Sequence, residues 1–170
     1  MQLPDSEALL NEITAKIAAL IKPNSVIVGI HRGGVWIMEH VLANLKQDIP
    51  YGTLDAALYR DDFAQRGLKT ELQPTNIPFD VQDKHIILID DIFHTGRTTR
   101  AAINELFDYG RPASITLAVL INRDGAQLPI QPQIVGAAIP LKPNQRFQLS
   151  QDSQGKLKLA LEKKQDTSDV

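Results

Sequence analysis

Three short, almost wholly apolar segments constrain the fold of this chain more than any other feature of its sequence. They are Ser25–Ile30 (SVIVGI), residues 85–90 (HIILID) and residues 114–121 (SITLAVLI). Such runs are typical of strands buried on both faces, as found in parallel sheets that helices cover. Segments suited to amphipathic helices alternate with them. We therefore predict an α/β fold with a central, mostly parallel sheet and helices on both faces.

The other elements follow from periodicity and from residues that begin or end helices. Helices are predicted from a cap at Ser6 to about residue 21, over about 35–45 and over about 98–109. The first helix should bury one side, formed by Leu9, Leu10, Ile13, Ile17 and Leu20. Further strands are predicted at 53–59 and around Ile134 and Val135, with a terminal hairpin of 146–150 and 156–161.

Composition limits the class of protein. The chain has 170 residues, 43% hydrophobic and 22% charged, which fits a single globular domain, 1–163, with a frayed tail at 164–170. The absence of cysteine excludes disulfides and thiolate metal sites, and the net charge of -2 gives no global sign of nucleic-acid binding. The N-terminal residues do not resemble a secretory signal, and no apolar run approaches the roughly 20 residues that span a bilayer. We expect a cytoplasmic location and no membrane partner.

The strongest chemical signal is the segment 86–98, IILIDDIFHTGRT. Thr95, Gly96, Arg97 and Thr98 would offer small side chains and successive backbone N–H groups at a helix start, which suits a phosphate monoester. Gly96 permits a positive φ and a close approach of the backbone to that phosphate. The carboxylates of Asp90 and Asp91 would lie some ångströms away, where they could hold sugar hydroxyls and attract Mg²⁺, directly or through water. Neither a Walker A nor a dinucleotide-binding glycine pattern is present.

A second loop follows the first apolar strand. His31, Arg32 and Gly33, with Gly34 after them, combine basic side chains with glycines and suit a second anion. Both loops leave the carboxyl ends of parallel strands, so we expect them at one edge of the sheet, where such folds bind ligands. The polar segment 60–78 is predicted to be a long loop that is mobile without ligand and closes over it.

The pattern of four apolar residues, two acids and Thr-Gly-x-Thr resembles the motif by which type I phosphoribosyltransferases bind 5-phosphoribosyl-1-pyrophosphate (PRPP). The resemblance implies that Asp90 and Asp91 hold the ribose hydroxyls and that residues His94 to Thr98 hold the 5-phosphate. It also implies that His31, Arg32 and Gly33 bind pyrophosphate.

A narrower resemblance covers about residues 25–140. It is to the bifunctional pyrimidine-operon regulator and uracil phosphoribosyltransferase family, through LYRDD (58–62), NIPFD (76–80), GRPASI (110–115), LAVL (117–120) and LPI (128–130). It implies transfer of phosphoribose to uracil, with UMP and pyrophosphate as products, Mg²⁺ as cofactor and a homodimer or homotetramer. Arg60 would be catalytic, adding positive charge over the pyrophosphate.

The chain departs from that family near the base. His94 stands where the family usually has tyrosine, and 122–127 is NRDGAQ rather than DRGHRE. Ile134, followed by Val135, matches the position of an aromatic residue that stacks on the base, and Arg123 lies in the altered segment. A purine base on the same scaffold, a nucleotide-sensing RNA-binding regulator and a non-catalytic PRPP-binding homologue are therefore the alternatives.

RNA binding is possible but is not favoured by the first helix. Its basic residues are Lys16 and Lys22, against Asp5, Glu7 and Glu12. At about 100° per residue the two lysines point in different directions and form no stripe. Since phosphate contacts dominate RNA affinity, we expect catalysis without tight RNA binding, although Arg66, Lys69, Arg111, Lys142 and Arg146 could cluster elsewhere.

Overall fold

The computed structural model describes residues 1–56 and 73–164 of the chain. In chain order the elements are α1 (Ser6–Leu20), β1 (Ser25–Ile30), α2 (Gly33–Asn44), β2 (Tyr51–Leu54), β3 (His85–Phe93), α3 (Arg97–Asp108), β4 (Ser114–Asn122), β5 (Ile134–Ala138), β6 (Gln145–Gln151) and β7 (Leu157–Lys163). Among these residues no helix is both long and apolar enough to cross a membrane.

The strands form two sheets, and their arrangement confirms the predicted fold class. Strands β2, β1, β3, β4 and β5 lie side by side in that order, and every neighbouring pair is parallel. Strands β6 and β7 form the predicted antiparallel hairpin. The two strands that precede the candidate loops, β1 and β3, are direct neighbours, with Gly29 beside Ile89.

Apolar side chains cover both faces of the parallel sheet. Ile27, Ile87 and Ile89 belong to a cluster shared with α1, α2 and the hairpin. Val28, Leu88 and Val119 belong to a second cluster that includes residues of α3. Because successive side chains of a strand point to opposite faces, burial of both faces requires the continuous apolar runs seen in the sequence.

The helices differ from the prediction in two boundaries and in the burial of one residue. Asp5, not Ser6, caps α1, since its carboxylate accepts a hydrogen bond from Glu7 N (3.3 Å). Leu20, predicted to be buried, is 44% exposed because it ends the helix beyond the core. Helix α2 begins at Gly33, two residues earlier than expected, so the glycines are its first residues rather than part of a preceding loop.

Strand boundaries also differ. Strand β3 continues to Phe93, which pairs with Asn122, so the two acids lie within the strand and not after it. Strand β2 begins at Tyr51, and the rest of the predicted strand beyond Ala56, like residues 60–72 of the predicted loop, lies outside the described residues. Of the predicted tail, Lys164 is described and donates its backbone N–H to Asn144 O at 2.7 Å.

Candidate active site

The start of α2 is packed directly on the acidic end of β3. A Cβ atom added to Gly33 would lie 2.6 Å from Asp91 Cγ, and one added to Gly34 would lie 3.1 Å from Asp90 Cα. Real Cβ atoms essentially never come within 3.0 Å of another heavy atom, and an added Cβ at Gly34 would also clash with the Ile89 carbonyl oxygen, so neither glycine leaves space for a side chain. The first of the two predicted loops therefore lies against the end of β3, the strand from which the second loop leaves.

The two carboxylates are buried and held by the backbone. Asp90 is 5% exposed and Asp91 is 7% exposed. The Oδ1 atom of Asp90 accepts Asp91 N at 2.9 Å, and the Oδ1 atom of Asp91 accepts Ile92 N at 2.8 Å. Strand alternation directs Asp91 toward α2, where it meets Gly33, and Asp90 toward the face that α3 covers. Asp91 thus faces the first candidate anion loop, and Asp90 lies on the sheet face that α3 covers.

The loop after β3 has the geometry of an anion site. Gly96 is the N-cap of α3 with a φ of 95°, in the left-handed region that favours glycine, and it has no side chain of its own with which to cap the helix. Buried Thr95 accepts Arg97 N on its hydroxyl at 3.3 Å. Since the first amides of a helix have no partner within it, and the helix dipole is positive there, the turn from Thr95 to Thr98 can bind a phosphate.

The segment after β4 lies over this loop, which sequence reasoning did not anticipate. Arg123 N donates to Phe93 O at 3.0 Å, and Gln127 N donates to Thr95 O at 2.9 Å. Gly125, with a φ of 101°, lies against the His94 ring, so that an added Cβ would be 3.1 Å from Cδ2. The Asp-Gly pair at 124–125 is a turn signal, but nothing in the sequence indicates which loop the turn covers.

The two predicted base-proximal apolar residues lie in different surroundings. Ile134 is 3% exposed and belongs to the core cluster shared with α1, so the structure does not bring it to the loops. Val135 lies on the other face, in the cluster that also contains Ala126 and Ile130. Its carbonyl accepts a hydrogen bond from Lys16 Nζ at 3.2 Å.

The remaining candidate loop is tied to β2. His31 N donates to Leu54 O at 2.9 Å, and the peptide bond between His31 and Arg32 is cis. Burial lowers the pKa of His31, and Arg32 lowers it further, while the charges of Asp55 and Glu39 act in the opposite direction. The net effect favours the neutral form of the imidazole. Arg60 lies outside the described residues.

Comparison with known proteins identifies the family. Residues 2–147 match the phosphoribosyl transferase domain. The chain belongs to this family. It is a PyrR-like phosphoribosyltransferase: the bifunctional protein PyrR of Pseudomonas savastanoi pv. phaseolicola (strain 1448A / Race 6) is 44% identical over 154 residues, covering 88% of this chain and 91% of the relative. The bifunctional protein PyrR of Nitrosococcus oceani is 46% identical over 144 residues, covering 84% of this chain and 81% of the relative. These matches confirm the predicted resemblance and the predicted enzyme class.

Solved phosphoribosyltransferases share the fold. A hypoxanthine-guanine phosphoribosyltransferase from Bacillus anthracis superposes with a TM-score of 0.65 at 18% identity, covering 82% of this chain and 84% of that one. A hypoxanthine phosphoribosyltransferase from Staphylococcus aureus gives 0.64 at 19% identity, covering 82% and 77%. At such identities the likeness concerns the fold alone.

Proposed function

We propose that this phosphoribosyltransferase transfers the 5-phosphoribosyl group of PRPP to uracil, giving UMP and pyrophosphate. The observation that carries the proposal is the contact between Gly33 and Asp91, a residue of the strand that leads into the turn at Gly96. Through β3 it connects both candidate anion loops to the buried acid pair. PRPP has two anionic groups on one sugar, and this arrangement offers a partner for each part of it.

We assign the residues of each loop to one part of PRPP. Residues His94, Thr95, Gly96, Arg97 and Thr98 would hold the 5-phosphate, chiefly through backbone N–H groups. His31, Arg32 and Gly33 would bind the pyrophosphate, and Arg60 would add positive charge over it. We place Arg123 and Val135 beside the base, and not Ile134, because Ile134 is enclosed in the core.

In the proposed reaction, the bond between the anomeric carbon of ribose and the pyrophosphate oxygen breaks as a nitrogen of the base attacks that carbon, and the proton on that nitrogen is released. Positive charge develops on the sugar ring, as in glycosyl transfer generally. Asp90 and Asp91 would stabilise this charge while their oxygens hold the ribose hydroxyls. Basic groups and loop amides would stabilise the negative charge on the leaving pyrophosphate.

The acid pair also suits Mg²⁺, which prefers oxygen ligands and often combines one or two carboxylates with phosphate oxygens and water. The described residues contain no group of three or more His, Cys, Asp and Glu side chains that could hold a metal ion. Substrate and water would therefore complete the coordination around Asp90 and Asp91. When bound, the ion would neutralise charge on the pyrophosphate.

The choice of uracil rests on the resemblance of residues 58–62 and 76–80 and on the PyrR-like relatives. It is tested by measuring PRPP consumption with uracil, hypoxanthine, guanine and xanthine offered separately. We expect turnover with uracil. Consumption with a purine alone would replace uracil by that base and leave the reaction class in place.

We also propose a cytoplasmic location and a homodimer or homotetramer. Cell fractionation tests the first, and light scattering after size-exclusion chromatography tests the second. A monomer at the concentrations used in the activity assay would refute the proposed assembly.

Regulation through RNA is the second candidate function, and we rank it below catalysis. Lys16, the one lysine within α1, donates to Val135 O and pairs with Glu12 at 2.9 Å, whereas Lys22 follows the end of the helix. An ammonium group with these partners is less available to phosphates. A gel-shift titration against the 5′ leader of the host's pyrimidine genes, with UMP and stated salt, decides how regulation through RNA ranks against catalysis. Nanomolar binding at physiological salt would place regulation first.

A further inference from the structure

A chain of hydrogen bonds connects the end of β2 to the middle of α3 through residues 73–75. Its centre is the Thr75 hydroxyl, which accepts Asp55 N at 3.2 Å and donates to Glu105 Oε1 at 2.9 Å. The Asp55 carboxylate accepts a second bond, from Gln73 N. The Thr75 hydroxyl thus links the end of β2 to α3.

Each end of this chain of hydrogen bonds lies in an element that is connected to one of the candidate anion loops. Asp55 follows Leu54, whose carbonyl accepts His31 N at 2.9 Å, and the Asp55 charge is close enough to His31 to act on its pKa. Glu105 lies on α3 about 12 Å along the axis from Arg97, where the phosphate loop ends and the helix begins. Since a helix is stiff over this length, a shift of α3 at Glu105 also moves the amides at the N-terminus of the helix.

The contact to β2 is reinforced beside Thr75. Asn76 and Thr53 exchange two backbone hydrogen bonds of 2.8 Å each, as an isolated antiparallel bridge. Residues 73–76 therefore lie on the outer side of β2, and the Thr75 hydroxyl carries that attachment over to α3.

We infer that Thr75, with Asp55 and Glu105, is a positioning group that fixes the separation of the two anion loops. The inference rests on the proposed function in one respect, that the ligand is PRPP. A ligand that occupies both loops is sensitive to their relative placement, because misplacing either loop loses part of its binding. A ligand with only the 5-phosphate occupies one loop and is insensitive to that placement.

The test compares PRPP with ribose 5-phosphate by isothermal titration calorimetry in the presence of Mg²⁺. The Thr75→Val variant keeps the shape of the side chain and removes both hydrogen bonds. We expect its affinity for PRPP to fall on the order of tenfold, the loss typical of one to two such bonds. Affinity for ribose 5-phosphate should stay within about twofold, because the phosphate loop itself is intact.

Conservative and control variants separate positioning from general damage. Thr75→Ser keeps the hydroxyl, and Glu105→Gln keeps an acceptor oxygen, so both should bind PRPP like the unmodified chain. Asp108→Asn removes one negative charge at an exposed position of the same helix and should change neither ligand. If Thr75→Val does not fold, Glu105→Ala removes only the hydrogen bond between Thr75 and α3. This variant should show the same selective loss of affinity for PRPP.

Equal losses for the two ligands, or no loss for PRPP, would overturn the inference. Failure of the proposed function has a different signature. A protein that binds PRPP but transfers nothing to uracil would refute that function alone, and the comparison of the two ligands would still decide the role of Thr75. A protein that binds no PRPP would refute both.

Discussion

Replacing Gly33 with alanine tests the contact on which the proposed site depends. The added methyl group would lie 2.6 Å from Asp91 Cγ and 2.7 Å from Asp91 Cβ, so the carboxylate or the helix start must move. Asp91 is 7% exposed and is held by Ile92 N at 2.8 Å, and Gly34 beside it is packed on Asp90. Neither side of the contact can move without changing the geometry of the acid pair and its neighbouring loop.

The expected magnitudes differ for stability and for activity. Overpacking of this kind costs about 1–3 kcal/mol, and the higher helix propensity of alanine offsets up to about 1 kcal/mol of it at this first helical position. The free energy of unfolding should thus fall by about 0–3 kcal/mol, and most of the protein should stay folded. Misplacing a substrate-binding group by about 1 Å can cost about 100-fold in rate, so kcat/KM should fall far more than stability does.

The assay measures kcat/KM for PRPP alongside urea unfolding, with Gly110→Ala as the matched control. A Cβ atom at Gly110 would lie 3.1 Å from Gln82 N, beyond the C-terminal end of α3 and apart from the acid pair. This control should lose stability and keep its specific activity once folded. If Gly33→Ala stays folded with kcat/KM within about twofold of the unmodified chain, the proposed role of the contact is wrong.

Three further predictions concern the same site. The double variant Asp90→Asn with Asp91→Asn should lose on the order of 10²–10³-fold in kcat, because neutral amides cannot stabilise the cationic sugar. Circular dichroism should show that its fold is unchanged. Near-normal turnover would exclude the proposed roles of the two acids. Gly96→Ala should weaken ribose 5-phosphate binding on the order of tenfold, since a φ of 95° strains a side chain, whereas Gly155→Ala, at a φ of 80° in the hairpin turn, should leave that binding unchanged. Because burial lowers the pKa of His31, the unfolded chain binds a proton on this imidazole at a higher pH than the folded chain does. The free energy of unfolding should therefore fall as pH drops below about 6.5. Thermal unfolding at pH 5–7 should depend less steeply on pH in His31→Asn, and an equal slope in both proteins would contradict this.

The sheet and the acid pair were predictable because they depend on local composition. Continuous apolar runs indicated buried parallel strands, and their carboxyl ends indicated where a ligand lies. The end of β3 was not predictable in this way: it runs through Asp90 and Asp91 because β4 continues to pair with it as far as Asn122. A partner strand, and not the polarity of the acids, decides where β3 ends.

Other features depend on contacts that no local pattern encodes. Ile134 matched a motif position, but strand alternation turns its side chain into the core beside α1, while Val135 lies on the other face. The Thr75 hydroxyl joins residues 20 and 30 positions away in the sequence, without any periodic signal. Such partners become visible only when the chain is folded.

The contacts of Lys16 and Asn76 have a consequence for how copies of this chain can associate. Strands β2 and β5 are the outermost strands of the parallel sheet, and an uncovered outer strand invites pairing with another chain. Asn76 bonds to the backbone of β2, and Lys16 places an ammonium group on the backbone carbonyl of Val135 in β5. Extension of this sheet from one molecule into the next is opposed on both sides. An assembly of this protein should therefore join through its helices or its hairpin and leave the five-stranded sheet confined to each subunit.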